Sequence, residues 1–253
     1  MIKIQRITED SSWHLQWDDT SILIDPWLIG PEIDGFSWLN KQWHTTEPLK
    51  INDLPAYGAI LVSQSYEDHC HLLTLRNLDP EKLIFASPRA YSKIKKTLKN
   101  RNVNVIDENN VVYKNLHFSS FRPNRIMDPI YYGILIVNSE NEAIFYCPHG
   151  FALSEEQLEK IKSVKVKLLI TTFTDFKLPA ILGGRVNPGM DQVKQLVDQL
   201  TPETVLNTHD EVKIMQGIVA KTAKIEFADY DKLEKNGEFN YVKTDGYNPL
   251  CIE

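Results

Sequence analysis

The stretch "ILVSQSYEDHCHL", residues 60–72, places an aspartate and a histidine shortly after a run of apolar residues. The opening Ile-Leu-Val run is typical of a buried β-strand, and Asp68 and His69 follow it. In α/β sheets, ligands bind at the edge formed by the carboxyl ends of the strands. The stretch therefore predicts a ligand or metal site at the end of this strand.

Three other apolar segments end in the same kind of chemistry. "ILID" ends at Asp25, "IFYCPH" at His149 and "VLNTH" at His209. Imidazole nitrogens and carboxylate oxygens are the ligands that zinc, iron and manganese take in proteins. The set therefore predicts a metal site of Asp68, His69, His149 and His209, with Asp25 as a hydrogen-bond partner behind the ligands.

Each of these residues also has a purely structural interpretation. A single histidine at a strand end often hydrogen-bonds to the backbone instead of to a metal. Asp25 precedes Pro26, which is typical of a turn. Asp68 is a candidate N-cap for a helix that runs through His71. The residues alone leave these alternatives open.

The rest of the chain has the pattern of a mixed α/β protein. Short, uniformly apolar segments predict strands that helices cover on both faces. Between them, "MDQVKQLVDQL" spaces its apolar residues as one buried helical stripe, and "LSEEQLEKIKSV" begins with Ser154 as an N-cap and Gln157 three residues later. No long linker or repeat is visible, so we expect a single domain over residues 1–253.

Composition limits the kinds of partner. A net charge of -6 argues against nucleic acid and against anionic membranes as partners, so a small-molecule substrate is the expectation. The beginning "MIKIQRITED" has no apolar signal region, and no apolar run is long enough to span a bilayer. We therefore expect a cytoplasmic protein; the sequence does not indicate an oligomeric state.

The cysteines and tryptophans give two further expectations. The three cysteines, Cys70, Cys147 and Cys251, are widely spaced and do not form a disulfide framework. Cys70 and Cys147 lie near the candidate histidines, so they are either soft metal ligands or small buried side chains. Residues 27–49, rich in Trp, Pro and Gly, predict a long loop that serves as a lid or a subunit contact.

In order and spacing, these motifs resemble the metallo-β-lactamase fold superfamily of metal-dependent hydrolases. The supporting segments are "ILIDPWL", "ILVSQSYEDHCH", "IFYCPHG" and "TPETVLNTHDE". The ascorbate-6-phosphate-lactonase-like branch is the most similar one. A subgroup of bacterial and plant relatives also carries Gln-Ser-x-x-Asp-His-Cys-His and Pro-His at these places. The resemblance implies an α/β fold, a four-layer αββα sandwich.

The resemblance also shows which ligands are missing. The superfamily pattern is His-x-His-x-Asp-His, but Gln64 and Tyr66 stand at its first two positions. A third histidine is expected near "LHFSSFRPN", where His117 comes too early and Arg122 or Asn124 occupies the position. His149 replaces the usual bridging aspartate. This degenerate active site implies one divalent ion, first of all zinc, with manganese or iron as alternatives.

Two functions follow from this pattern. The first is a metal-dependent hydrolase of a small ester, lactone or phosphoester. Because the bridging aspartate is missing, Tyr66 and Glu67 are the candidate proton acceptors, with Gln64 as an orienting partner. The alternative is a non-catalytic binding or structural protein that has kept the fold, has lost its activity and binds no metal.

Overall fold

The computed structural model describes residues 1–123 and 131–253, and these form two compact units. The first unit consists of residues 1–107, 211–221 and 244–253, and the second of residues 108–210 and 222–243. Each unit has its own main sheet and its own apolar core. The division does not test whether residues 1–253 are a single domain, and the single domain stays a prediction.

The strands are short and follow one another along the whole chain. They are β1 Ile2–Arg6, β2 Trp13–Trp17, β3 Thr20–Ile24, β4 Lys41–Trp43, β5 Ala59–Val62, β6 Leu83–Ala86, β7 Val103–Val105, β8 Val111–Tyr113, β9 Leu116–Phe121, β10 Gly133–Val137, β11 Glu142–Cys147, β12 Lys165–Thr171, β13 Asp175–Lys177, β14 Arg185–Pro188, β15 Thr204–Asn207, β16 Ile214–Gln216, β17 Lys224–Glu226 and β18 Leu250–Ile252.

The helices lie between these strands, as the alternating pattern predicted. They are α1 Leu72–Asn77, α2 Pro88–Thr97, α3 Glu155–Ile161, α4 Met190–Leu200, α5 Ile218–Thr222 and α6 Tyr230–Asn236. Among the helices of the described residues, none combines the length and the apolarity needed to cross a membrane.

The first unit contains a seven-stranded sheet in the order β18-β1-β2-β3-β5-β6-β7. Strands β3, β5, β6 and β7 run parallel, so their carboxyl ends lie at one edge. All four residues of β5 are buried, which explains why the strand is apolar throughout and does not alternate. The candidate ligands Asp68 and His69 follow this strand.

The second unit contains a six-stranded sheet in the order β15-β12-β11-β10-β9-β8, in which β11, β12 and β15 run parallel. Helix α3 begins with the predicted capping box, in which Ser154 and Gln157 hydrogen-bond reciprocally. Helix α4 buries Val193, Leu196 and Leu200, which confirms the predicted apolar stripe. His149 follows β11, and His209 follows β15.

The sequence predicted one long loop over residues 27–49, but part of this segment forms a strand. They contain β4, which pairs with β16 in a separate two-stranded sheet of the first unit. Trp27 is buried, whereas Trp38 is exposed. Trp43, in β4, is half-buried. The role of this segment as a lid or a subunit contact stays a prediction.

Candidate metal centre

Asp68 and His69, the candidate ligands of the first unit, lie in the turn between β5 and α1. His69 has no exposed surface, and its Nδ1 atom lies 2.8 Å from Oδ2 of Asp25. Because the Asp25 carboxylate accepts the Nδ1 proton, Nε2 becomes the ring nitrogen that would bind a metal. Nε2 lies 3.6 Å from Oδ2 of Asp68, beyond hydrogen-bond distance. The two atoms are therefore placed to share one ion.

Asp25 is itself held firmly. The backbone N–H of Ser63 donates to Oδ1 at 2.6 Å, and the Ser63 hydroxyl donates to Oδ2. The backbone of Asp25 is left-handed, with a φ of 46°, which is uncommon for a residue other than glycine. Such conformations persist only where the surrounding structure holds them, and they concentrate at functional sites. The turn at Asp25 thus fixes the carboxylate that orients His69.

The charges around His69 favour a cation. Burial of the imidazole opposes protonation, but the carboxylates of Asp68 and Asp25 outweigh burial and raise the pKa of His69 to about 9. Without a metal, His69 is therefore protonated at neutral pH. A divalent cation would replace this proton, because both neutralise the same two carboxylates.

His149 and His209, the candidate ligands of the second unit, lie next to each other. Their ring centroids are 4.7 Å apart and the rings are nearly perpendicular, at 89°. Nδ1 of His149 donates to Oδ1 of Asn187 at 2.8 Å, so Nε2 is again the nitrogen that would bind a metal. The ring of Tyr131 stacks on His149 with a centroid distance of 4.0 Å. His149 is thus held by a hydrogen bond and by a stacked ring.

The turn that carries His209 is held by the next residue. His209 has a left-handed backbone with a φ of 57°. The buried carboxylate of Asp210 accepts hydrogen bonds from the hydroxyls of Thr172 at 2.9 Å and Thr174 at 2.6 Å. It also accepts from the backbone N–H of Thr174 at 3.0 Å. These bonds fix the chain at His209 in its uncommon conformation.

Both pairs of residues fit a divalent metal ion. The donors are imidazole nitrogens and one carboxylate oxygen, a set that suits zinc, manganese and iron. In His69 and His149 an oxygen acceptor takes the Nδ1 proton, which is the usual arrangement behind metal-binding histidines.

Around Asp68 the first unit holds four ionisable residues that the sequence analysis did not select. These are Asp10, Glu32, Asp34 and Lys213. Nζ of Lys213 lies 2.9 Å from Oδ2 of Asp10 and 3.9 Å from Oδ2 of Asp68. Burial raises the pKa of Glu32, and burial together with Asp68 raises the pKa of Asp34 to about 6. No spacing in the sequence connects these residues to the "EDHCH" motif.

Comparison with known proteins identifies the family. No curated protein matches the chain significantly in sequence. The beta-lactamase superfamily domain, however, matches residues 6–209, which is most of the chain. The chain belongs to this family. This confirms the resemblance to the metallo-β-lactamase superfamily and the predicted α/β fold class, the αββα sandwich; the narrower lactonase-like branch stays a prediction.

Solved structures of the same fold cover nearly the whole chain. A metallo hydrolase from the archaeon Ignicoccus hospitalis has a TM-score of 0.67 and 14% identity, with 98% of this chain and 97% of that chain covered. An isothiocyanate hydrolase from Delia radicum gut bacteria has 0.71 and 14%, with 99% and 98% covered. A possible metal-dependent hydrolase from Veillonella parvula has 0.70 and 13%, with 99% of each covered. At these identities the likeness concerns the fold.

The positions where the superfamily pattern has histidines carry other side chains in this family member. Gln64 is fully buried and Tyr66 is half-buried, both in the turn after β5. His117 lies in β9 and is half-buried. Arg122 directly follows that strand, and Asn124 lies outside the described residues. The loss of the first metal site is therefore a proposal based on the sequence.

The candidate proton acceptors differ in their surroundings. Oε1 of Glu67 forms an ion pair of 2.7 Å with Nζ of Lys93, and the Glu67 backbone N–H donates to Oδ1 of Asp34 at 3.1 Å. The Tyr66 backbone carbonyl accepts from the N–H groups of His69 and Cys70. The catalytic roles of Tyr66, Glu67 and Gln64 stay predictions.

The N-cap of α1 is His71 and not Asp68. Nδ1 of His71 accepts from the backbone N–H of Thr74 at 3.3 Å, and Nε2 donates to the carbonyl of Pro31 at 3.3 Å. His71 is also buried. Because His71 takes the cap, the role of helix cap does not apply to Asp68.

The two buried cysteines have the environment of small apolar side chains. Burial raises the pKa of the Cys70 thiol, and of the Cys147 thiol, to about 12. A metal-binding cysteine is a thiolate, which is favoured by nearby positive charge and opposed by apolar burial. The structure thus favours the second of the two interpretations of these residues.

Proposed function

We propose that the chain is a metal-dependent hydrolase that binds one divalent ion through Asp68, His69, His149 and His209. Zinc is the first choice, and the substrate is a small ester, lactone or phosphoester. Membership of the beta-lactamase superfamily supports the reaction class, as do the hydrolases among the structures of similar fold. That both pairs bind the same ion is supported by the order of these residues along the chain, which matches the superfamily resemblance.

One observation carries the proposal more than the others. The Asp25 carboxylate fixes Nδ1 of His69, and Nε2 then lies 3.6 Å from the Asp68 carboxylate. Two buried carboxylates beside a histidine need a positive charge, which either a proton on the ring or a divalent ion bound to Nε2 supplies. Asn187 orients His149 in the corresponding way.

Each residue of the site would have its own role in hydrolysis. When bound, a divalent ion lowers the pKa of water toward about 7 and so supplies hydroxide at neutral pH. Asp25 and Asn187 keep the histidine tautomers fixed, and Asp210 keeps the turn at His209 in place. Tyr66 or Glu67 would accept the proton released in the reaction, with Gln64 as a hydrogen-bond partner.

The experiment is a hydrolysis assay with a panel of small esters, lactones and phosphoesters. The wild type, His149→Ala and His209→Ala are each incubated with zinc, manganese or iron, and His117→Ala serves as a histidine control outside the ligand set. We expect turnover by the wild type and the control, and a loss of roughly 100-fold or more in the two ligand variants. Turnover that survives in both ligand variants would contradict the proposal.

The alternative, a non-catalytic binding or structural protein, is favoured by the side chains Gln64 and Tyr66 at positions where the superfamily pattern has histidines. The two functions differ in how the protein responds to a chelator. A hydrolase with a bound ion loses thermal stability when EDTA removes the ion, because the ion stabilises only the folded state. A melting temperature that EDTA does not change, together with no turnover on the panel, would favour the alternative.

A further inference from the structure

A second group of possible metal ligands lies within the first unit. Glu32, Asp34 and Asp68 each offer a carboxylate oxygen, and these three oxygens lie within 4.8 Å of one another. Glu32 is 1% exposed and Asp68 is 6% exposed, whereas Asp34 is half-buried. Surface clusters of acidic residues are common, but this one is mostly removed from solvent.

One oxygen of this group indicates that a ligand binds here. Oε2 of Glu32 is buried and, within residues 1–123 and 131–253, has no hydrogen-bond partner. A buried carboxylate oxygen without a partner costs more free energy than almost any other polar group. Native structures keep such groups where something else binds them, for example an ion.

The backbone at Glu32 is held in place by hydrogen bonds. Its N–H donates to the carbonyl of Gln42 at 3.0 Å, and its carbonyl accepts from the N–H of Gln42 at 3.1 Å. Two further bonds hold the preceding residues: the indole N–H of Trp27 donates to the Gly30 carbonyl at 2.9 Å, and His71 donates to Pro31. The backbone that carries the Glu32 side chain is therefore fixed by the fold, and in this fold the carboxylate is buried.

The cations nearby do not balance these carboxylates. Nζ of Lys213 is 2.9 Å from Asp10 and 3.9 Å from Asp68, so its hydrogen bond goes to Asp10. Lys93 pairs with Glu67 at 2.7 Å. His69, when protonated, is hydrogen-bonded to Asp25. These three cations thus pair with other carboxylates, while burial raises the pKa of Glu32 and of Asp34, so a bound cation would replace a proton there.

We propose that Glu32, Asp34 and Asp68 bind a second cation, a hard divalent ion of the Mg²⁺ or Mn²⁺ class. A ligand set of carboxylate oxygens suits these ions, which retain several waters, whereas the imidazoles of the first site suit zinc. Asp68 has two oxygens and can take part in both sites. Two of the three ligands, Glu32 and Asp34, belong to residues 27–49, and none stands at a position where the superfamily pattern has a histidine. This inference does not depend on the chain being a hydrolase.

The test is a titration of the zinc-loaded full chain with Mn²⁺, followed by calorimetry and by the electron paramagnetic resonance of bound Mn²⁺. We expect about one Mn²⁺ to bind in addition to the zinc. Glu32→Gln and Asp34→Asn should each weaken this binding by about tenfold or more. Glu47→Gln, an exposed change in the same segment, is the matched control and should bind Mn²⁺ like the wild type.

A second measurement separates a lost ligand from a misfolded variant. In EDTA, Glu32→Gln should melt no lower than the wild type, because the amide removes a charge from a buried acidic cluster. To separate this site from the proposed hydrolytic one, the titration is repeated with His149→Ala, which should bind less zinc and still bind Mn²⁺. No Mn²⁺ uptake by the zinc-loaded wild type, or equal uptake by folded Glu32→Gln, would overturn the inference.

Discussion

Oδ2 of Asp25 lies 2.8 Å from Nδ1 of His69, and neither side chain has any exposed surface. The aspartate directly follows one strand, β3, and the histidine follows the neighbouring parallel strand, β5. Asp25 therefore determines which nitrogen of His69 faces Asp68. The sequence suggests this residue both as a turn former before proline and as a hydrogen-bond partner behind the ligands.

Asp25→Asn should weaken zinc binding by about 10- to 100-fold, the usual cost of losing the partner of a metal-binding histidine. An amide is a poorer acceptor for Nδ1–H, so the ring is less firmly oriented and less basic. Zinc affinity is measured by competition with a chromophoric chelator. Asp53→Asn, an exposed change in the same unit, is the control. Equal affinities of wild type and Asp25→Asn would show that Asp25 has only a structural role.

The metal-free protein should lose stability as pH rises from 6.5 to about 9. His69 has a folded-state pKa raised from 6.5 to about 9, so its protonation stabilises the folded state fully below pH 6.5, and this stabilisation is lost through pH 9. For a fully buried group, such a shift corresponds to a contribution on the order of 3 kcal/mol to the free energy of unfolding. Urea unfolding in EDTA measures it.

The control for the pH effect is His69→Gln, whose stability should vary much less over the same interval. With zinc present, the trend should reverse, because protons compete with the ion for His69 and the competition weakens as pH rises. A metal-free wild type that is equally stable at pH 6.5 and pH 9 would contradict the electrostatics proposed for this site.

Only one cysteine should react with a thiol reagent in the native protein. Cys251 is exposed, whereas Cys70 and Cys147 are buried and have pKa values raised to about 12. Ellman's reagent should therefore label one thiol in the folded chain and three after unfolding, and none in folded Cys251→Ser. Rapid native labelling of Cys70 would reopen its role as a metal ligand.

His71→Ala should destabilise the protein by about 1–3 kcal/mol without changing its zinc content. The variant loses the N-cap of α1 and the bond to the Pro31 carbonyl, but no proposed zinc ligand. His71→Asn, which can still cap the helix, should recover part of the stability. Thermal unfolding and elemental analysis measure the two effects, and loss of zinc in His71→Ala would place His71 in the metal site.

The sequence was informative where local pattern and chemistry coincide. The buried run of β5, the capping box of α3 and the apolar stripe of α4 each follow from neighbouring residues along the chain. For the same reason, the ends of the apolar strands located the candidate ligands. The family resemblance extended these local signals to the fold class.

The sequence was not informative where distant segments meet. Asp10, Glu32 and Lys213 come from three separate parts of the first unit, and no periodicity relates them to Asp68. Asp68 was one candidate for the cap of α1, because aspartate is a common N-cap residue, but the helix begins at Leu72 and His71 takes the position. Which residue caps a helix depends on where the turn places each side chain. A shift of one residue along the chain changes that placement.

The most direct test of the proposed metal centre is the metal content of protein purified without an affinity tag or added metal, measured by elemental analysis after gel filtration. The matched sample is the His69→Ala/His209→Ala double variant, with its fold checked by circular dichroism. The account predicts about one zinc or iron ion per chain in the wild type and none in the variant. Manganese does not discriminate between the two samples, because the proposed site at Glu32, Asp34 and Asp68 is present in both. A wild type that stays free of metal after incubation with all three ions would contradict it.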